Sequence, residues 1–340
     1  METLLLRGEK CVNNGYTVLI IADIEGIHDV YDLNNINQCH ESYNDEIAAY
    51  VNALVKNGIV NIDICDAHDQ GDLLAQVPQR CRNANIKVIS TISDIRFETE
   101  YVFAIMVGFH GMAGSCGILP HSFRYNFKEV SICGVTMQHY MPIGEVEVYS
   151  RWLGSKGIPV ILISGDREAI YEGNCFNPYR ETCCVKSYFE TSKIDRDLVI
   201  KKIQNSVDCA MKLDYKKCTS SDDSSVYISF THNDLLDEFK RLGYKCVNRH
   251  VMFNNCSEFV SSLYNMVDVL TEFDKATFAA NYSLLQELRT LASSTSRENL
   301  INSEIGNILA HCNLYSLDRE ARSEIRAYFE NKVNDVWKKE

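Results

Sequence analysis

The stretch YTVLIIADIEG, Tyr16 to Gly26, sets a run of apolar and β-branched residues against an abrupt acidic stop. Thr17 to Ala22 has the composition of a buried strand, and buried strands do not ordinarily end in two carboxylates. Side chains alternate along a strand, so Asp23 and Glu25 leave it on the same side. Gly26 then lets the chain turn away with no side chain in the gap. Two carboxylates at the exit of a central strand either repel each other or share a cation. We read them as sharing a metal, with later segments bringing the remaining ligands.

Working outward, residues 1–15 form a lead-in, and the polar run from Asn34 to Ser42 reads as a loop. Ile47, Tyr50, Val51, Leu54 and Val55 recur at helical spacing, with Gly58 as a C-cap. Ile59 to Cys65 is a second strand, closing a strand–helix–strand unit expected to be parallel and right-handed. It ends in Asp66-Ala67-His68-Asp69. Ile86 to Ser90 is a further strand. Tyr101 to Val107 is another buried one, ending in Gly108-Phe109-His110-Gly111 and a small-residue loop, Met112 to Gly117, that leads to Pro120-His121-Ser122. A strand pair around Phe127 to Thr136 follows. Pro142-Ile143-Gly144-Glu145 then opens a helix carrying Val148, Trp152 and Leu153. Val160 to Ser164 is a strand ending in Gly165-Asp166-Arg167. Strands alternating with helices predict an α/β fold with a mostly parallel, helix-flanked sheet.

From about Lys186 the pattern changes. A helix near Asp195 to Leu213, a polar linker from Thr219 to Ser225, and the segments Val226 to Phe230, Leu235 to Leu242 and Cys246 to Phe253 read as a smaller α+β domain. Residues 256–340 are helical in pattern, with stripes at Leu284, Leu285, Leu288 and Leu291 and at Ile301, Ile305, Ile308 and Leu309. The expected organisation is a lead-in at 1–15, a metal-binding α/β domain at 16–190, the α+β domain at 191–270 and a helical extension at 271–340.

The bulk numbers set bounds. An apolar fraction of 46% with 5 prolines in 340 residues describes a packed chain, not a disordered one. A net charge of −12 disfavours nucleic acid or an anionic membrane surface as partner. No apolar stretch approaches the length of a membrane span, and the leucines at residues 4–6 are too short a run for a secretory signal. The 14 cysteines form no CxxC pair, which argues against a zinc knuckle and for free thiols in a reducing, cytoplasmic compartment.

Three successive strand ends thus carry acids and histidines: Asp23/Glu25, Asp66/His68 and His110. Ligands of open α/β sheets gather at the carboxyl ends of the strands, so these groups can converge. Mixed carboxylate and imidazole donors suit zinc, or manganese and cobalt at an adaptable site. A carboxylate such as Asp23 or Glu145 can bridge two ions, as in two-metal hydrolases. The residues by themselves point to metal-dependent hydrolysis.

The ordered set Asp23-x-Glu25-Gly26, Asp66-x-His68, Gly108-x-His110, Pro120-His121-Ser122, Gly144-Glu145 and Gly165-Asp166 resembles the DppA-type zinc-dependent D-aminopeptidases, peptidase family M55, over roughly residues 16–270. The resemblance implies that Asp23, Glu25, His68, His110 and Glu145 are the two-zinc ligand set and that His121 is the catalytic histidine. It places Lys186 near a lysine of the family. It also implies a homo-oligomeric ring built from a metal domain and a smaller second domain. Residues 271–340 have no counterpart in it, and the loop from Ile27 to Ser42 departs from its compact pattern.

Each residue also has a plainer reading. Asp23 and Glu25 could be solvated acids of a capped turn. His68 could be an ordinary loop histidine, and His121 a turn cap. Glu145 could sit at a helix start for dipole reasons alone, with Glu147 as its rival for the ligand role. Asp166-Arg167 reads as a helix-capping or sheet-end pair, His28, His40 and His139 as surface residues, and the C-terminal stripes as packing faces. The expected function is a cytoplasmic di-metal aminopeptidase or amide hydrolase acting on short peptides with a free N-terminus, D-residues included. Two alternatives share the sequence: an amide-forming or acyl-transfer enzyme on the same scaffold, and a non-catalytic metal-binding scaffold whose helical tail docks a partner.

Overall fold

The computed structural model describes residues 16–31, 36–68, 71–124, 126–133, 140–186 and 195–293, together with residues 325, 327 and 331. Among them, those up to Ile228 together with Phe253–Ser261 form one compact unit, and Ser229–Met252 with those from Ser262 onward form a second.

The first unit is built on a six-stranded sheet. β1 (Thr17–Ala22) and β2 (Asn61–Asp66) are followed by β3 (Asn85–Ile89), β4 (Tyr101–Phe109), β7 (Val160–Asp166) and β8 (Glu181–Lys186), in the order β3-β2-β1-β4-β7-β8. Every pairing in it is parallel. The strands read as near-continuous apolar runs because helices cover both faces. On one face Val18, Ile20 and Ala22 of β1 and Phe103, Ile105 and Val107 of β4 share a core with α1 (Ile36–Lys56) and α5 (Arg196–Ala210). From α1 come Tyr43, Ile47, Tyr50, Val51 and Leu54, and from α5 Val199, Ile203 and Val207. The opposite face carries α3 (Glu145–Ser155) and α4 (Arg167–Phe176); there Phe109 meets Tyr149 edge-on at 6.0 Å. A short helix, α2 (Val77–Arg80), links β2 to β3.

Order β3-β2-β1-β4-β7-β8 places a switch point between β1 and β4, where connections leave toward opposite edges. Such a point opens a crevice at the carboxyl ends of the strands. The strand ends are drawn together there by glycines. Gly26 N donates to Gly108 O at 2.7 Å, and a Cβ on Gly26 would lie 1.8 Å from the Phe109 carbonyl oxygen. Gly108 has φ +78°, a region that favours glycine, and lies against the Asp23 carbonyl.

Outside this sheet, β5 (Phe127–Cys133) pairs antiparallel with β6 (Met141–Pro142). Residues 134–139, with the end of the expected Phe127–Thr136 strand pair and His139, lie outside the described residues. β9 (Ser225–Phe230) continues from the first unit into the second. The second unit contains α6 (Asn233–Arg241) and the antiparallel hairpin of β10 (Cys246–Val247) with β11 (His250–Phe253), along with most of α7 (Cys256–Ser293). Its core holds Leu235 and Phe239, the latter stacked on Phe230 at 4.9 Å. The Leu284–Leu291 side chains and the stripe from Ile301 lie outside the described residues. Among the described residues no helix is long and apolar enough to cross a membrane. The described cysteines are free thiols.

Two expectations are corrected. The run Asn34–Ser42 is not a loop throughout, because α1 begins at Ile36. Among its described side chains from 38 to 43 only Cys39 and Tyr43 are buried, too few to set an apolar period. His28 is not a surface residue: it is 4% exposed, and both its backbone N–H (3.0 Å) and its Nδ1 (2.7 Å) meet Glu46 Oε2 on α1.

Candidate metal centre

Four segments deliver side chains to the crevice. Asp23 and Glu25 follow β1, His68 follows β2, His110 follows β4, and Glu145 opens α3. Asp23, Glu25, His110 and Glu145 are buried, and His68 is partly exposed. His68 Nδ1 lies 2.9 Å from Glu25 Oε1 and 3.7 Å from Asp23 Oδ1. His110 Nε2 lies 3.4 Å from Asp23 Oδ2 and 3.5 Å from Glu145 Oε1. Asp23 therefore presents one oxygen to each histidine. The donors fall into two groups, Asp23/Glu25/His68 and His110/His121/Glu145, each with ligand atoms within 4.8 Å of one another.

Supporting contacts fix the rings. His110 Nδ1 meets the Gly111 carbonyl at 2.9 Å, and His121 Nδ1 meets the Leu119 carbonyl at 3.1 Å. A carbonyl only accepts, so each Nδ1 carries the proton and each Nε2 faces the crevice. The two rings stack at 4.1 Å with an interplanar angle of 8°, and His121 Nε2 lies 3.9 Å from Glu25 Oε1. Asp66 acts beneath: its carboxylate accepts from the backbone of His68 (3.1 Å) and Gly71 (3.2 Å) and from the Tyr43 hydroxyl (3.1 Å), tying down the His68 loop. Asp166 caps α4 through Ala169 N (2.9 Å), and its other oxygen accepts from Gly111 N at 3.1 Å.

Glu145 and its rival separate cleanly. Glu145 faces His110, whereas Glu147 turns away to Arg151 (2.7 Å) and Arg180 (3.8 Å). The turn into α3 is held by Glu172 of α4, whose Oε1 accepts from Gly144 N (2.8 Å) and Glu147 N (3.0 Å). Glu172 carried no signal in the sequence, because its partners are backbone amides of another element. Lys186 is fully buried at the end of β8 and donates from Nζ to the carbonyls of Glu25 and Val30.

The electrostatics of the donor set call for a cation. Burial, and then the Glu25 charge, push the Asp23 carboxyl well above the ordinary range. Asp23 Oδ2 is buried without a hydrogen-bond partner among the described residues. Burial opposes ionisation of Glu25 as well, yet the His68 hydrogen bond and the charges of His68, His110 and His121 hold it below its usual value. Burial would lower His110, but the Glu145 hydrogen bond and the surrounding carboxylates raise it to about 10. Without a cation, then, one histidine must carry the charge that balances the acids. Divalent ions fit this set, since they satisfy the orphaned oxygen and offset the like charges.

No curated protein sequence matches the chain. Among solved structures, the Zn-dependent D-aminopeptidase DppA from Bacillus subtilis, a self-compartmentalizing protease, shares its fold. The TM-score is 0.61 at 18% identity, covering 74% of this chain and 97% of that one. Residues 17–254 match the model of the peptidase M55 family, described as D-aminopeptidase. By that match the chain belongs to the M55 peptidase family, the D-aminopeptidases, and is a metallo-aminopeptidase.

Proposed function

We propose that this chain is a two-zinc aminopeptidase that hydrolyses short peptides with a free N-terminus, D-residues included. Asp23, Glu25, His68, His110 and Glu145 hold the ions, and His121 is the catalytic residue. The observation that carries the reading is the division of five donors into two groups that meet at Asp23. The mixed imidazole and carboxylate donors suit zinc, and the likeness to a Zn-dependent D-aminopeptidase favours it over manganese or cobalt.

When bound, the ions acidify water and polarise the substrate carbonyl. The chain's own residues do the rest. Hydrolysis adds water across the amide, so a proton must leave the attacking water and another must reach the departing amine. His121 is suited to both transfers, because Leu119 O holds its Nδ1 proton and leaves Nε2 toward the crevice. In the alternative route the same nitrogen attacks the carbonyl, the protonated amine leaves as the C–N bond breaks, and water hydrolyses the resulting acyl-imidazole. The buried walls exclude bulk water and strengthen each of these electrostatic contacts. We also infer a cytoplasmic homo-oligomeric ring, on the strength of the likeness to a self-compartmentalizing protease.

Replacing Asp23 or His110 with Ala should abolish both zinc content and turnover of D-alanyl peptides. His121→Ala should abolish turnover while zinc remains. Zinc loss in His121→Ala would reassign that residue to the ligand set, which its place beside His110 and Glu145 makes a real alternative. Full activity in the metal-stripped chain would sink the whole reading. Product masses on the same peptides distinguish hydrolysis from acyl transfer.

A further inference from the structure

Two residues after His121 the backbone makes an unusual turn. Phe123 has φ +62°, one of two non-glycine residues with positive φ among those described. Arg124 N donates to Ser122 O at 2.7 Å, which closes a three-residue turn centred on Phe123. A turn of this kind with positive φ is rare and strained, and a bulky side chain at its centre makes it more so. Strain of this sort persists where the surroundings over-determine the conformation.

The surroundings here are aromatic. The Phe123 ring packs edge-on against Tyr149 of α3 at 5.6 Å and against Phe259, in the first turns of α7, at 5.0 Å. Phe259 is fully buried, and Phe127 adjoins both rings, at 6.5 Å from Phe123 and 6.4 Å from Phe259. The ring is thus an anchor set in an aromatic cluster. The Phe123 backbone reaches the metal donors directly: its N–H donates to Glu145 Oε1 at 2.6 Å, the same oxygen that lies 3.5 Å from His110 Nε2. The turn also fixes the exit of the chain from His121, whose own N–H donates to Gly111 O at 3.2 Å on the entry side.

We propose that Phe123 is a positioning residue for the metal centre: its ring, clamped by Tyr149 and Phe259, holds the strained turn shut, aiming its amide at Glu145 and keeping His121 stacked on His110. This rests on the two-zinc reading above. It assigns to a hydrophobic side chain the work usually given to a polar partner behind a metal ligand. Outer partners of that kind typically change metal affinity or activity by about 10–100-fold when removed.

The test measures zinc affinity of the metal-stripped full chain by competition with a chromophoric chelator, beside kcat and KM on a D-alanyl dipeptide. Wild-type binding checks the underlying reading separately, since a wild-type chain without zinc affinity would overturn that reading and this one together. Given wild-type binding, Phe123→Ala should weaken zinc by about 10-fold or more and lower kcat more than it raises KM. Phe259→Ala, which leaves the His121 loop sequence intact, should move both quantities the same way by a smaller factor. Phe123→Leu, which keeps an apolar anchor, should recover part of the loss. Zinc affinity and kcat within twofold of wild type in folded Phe123→Ala would overturn the proposal. So would an unchanged zinc affinity in folded Phe259→Ala.

Discussion

Replacing Lys186 with methionine separates global stability from the behaviour of the metal centre. The ammonium is fully buried and donates to the Glu25 and Val30 carbonyls, so it pins both ends of the turn that carries Glu25. The Tyr31 ring lies 5.5 Å from it, and the Asp166 and Glu46 charges also favour its protonated form. Hydrogen bonds from a charged donor contribute about 1.5–3 kcal/mol each, so the pair contributes about 3–6 kcal/mol. Burial opposes this and lowers the Lys186 pKa to about 8. At about 1.4 kcal/mol for each tenfold, the distance from an ordinary lysine costs about 3 kcal/mol when the group is charged. The remainder is roughly 0–3 kcal/mol, a modest global contribution. Methionine keeps the length of the stem and removes both the charge and the donors. Thermal unfolding in a chelator should therefore shift by only a few degrees, while zinc affinity should fall about 10–100-fold as the Glu25 turn loosens. The pH dependence has a definite sign. Because the folded-state pKa lies below the unfolded one, the unfolded chain holds the extra proton between about pH 8 and the ordinary lysine value. Wild-type stability should gain from Lys186 as pH rises through that window, and the methionine variant should lose that gain. Zinc affinity equal to wild type would refute the reasoning, as would a stability loss above about 5 kcal/mol, well beyond the worked remainder.

Glu145→Gln and Glu147→Gln should diverge although the residues stand on one turn. The first should weaken zinc with little effect on unfolding in chelator. The second removes the carboxylate paired with the buried Arg180, which keeps its hydrogen bonds to Ser150 and Ser220, and should lower stability by about 3–5 kcal/mol, leaving zinc affinity of the folded chain near wild type; parallel effects in calorimetry and zinc titration would contradict both. Glu172 is pushed up to about 7 by burial, against the two amides it caps. Its raised value favours folding below the ordinary glutamate range, and that contribution is lost as pH rises through about 7. Glu172→Gln should flatten the decline of melting temperature between about pH 4.5 and 7, and superimposable pH profiles would count against it.

What the sequence made legible follows the reach of each signal. The parallel sheet was readable because β1 and β4 are uninterrupted apolar runs, each ending in residues that buried strands do not otherwise carry. Asp23, Glu25 and His110 could be nominated from those ends, and His68 from the end of β2. Glu145 could not be separated from Glu147 without the family resemblance, since both sit in the first turn of α3 and both are buried. The start of α1 lacks apolar periodicity, and the burial of His28 depends on Glu46, 18 positions away on α1. The Phe123 turn was invisible for a different reason: a positive φ on phenylalanine is imposed by Tyr149 and Phe259, distant in sequence, against the residue's local preference. Devices enforced by tertiary packing leave no local trace.

The switch point between β1 and β4 also bears on how the protein comes to exist. β1 pairs Thr17 with Tyr101, so the crevice cannot close until the whole first half of the sheet has been made and β4 has returned to its centre. Distant parallel pairings of this kind form slowly, because chain closure precedes the contacts that reward it. A nascent chain that ends before β4 already carries Asp23, Glu25 and His68 but lacks His110 and Glu145. On the proposed two-zinc reading, the full donor set forms only on a chain whose two half-sheets have joined, and zinc held there would stabilise the finished fold by mass action.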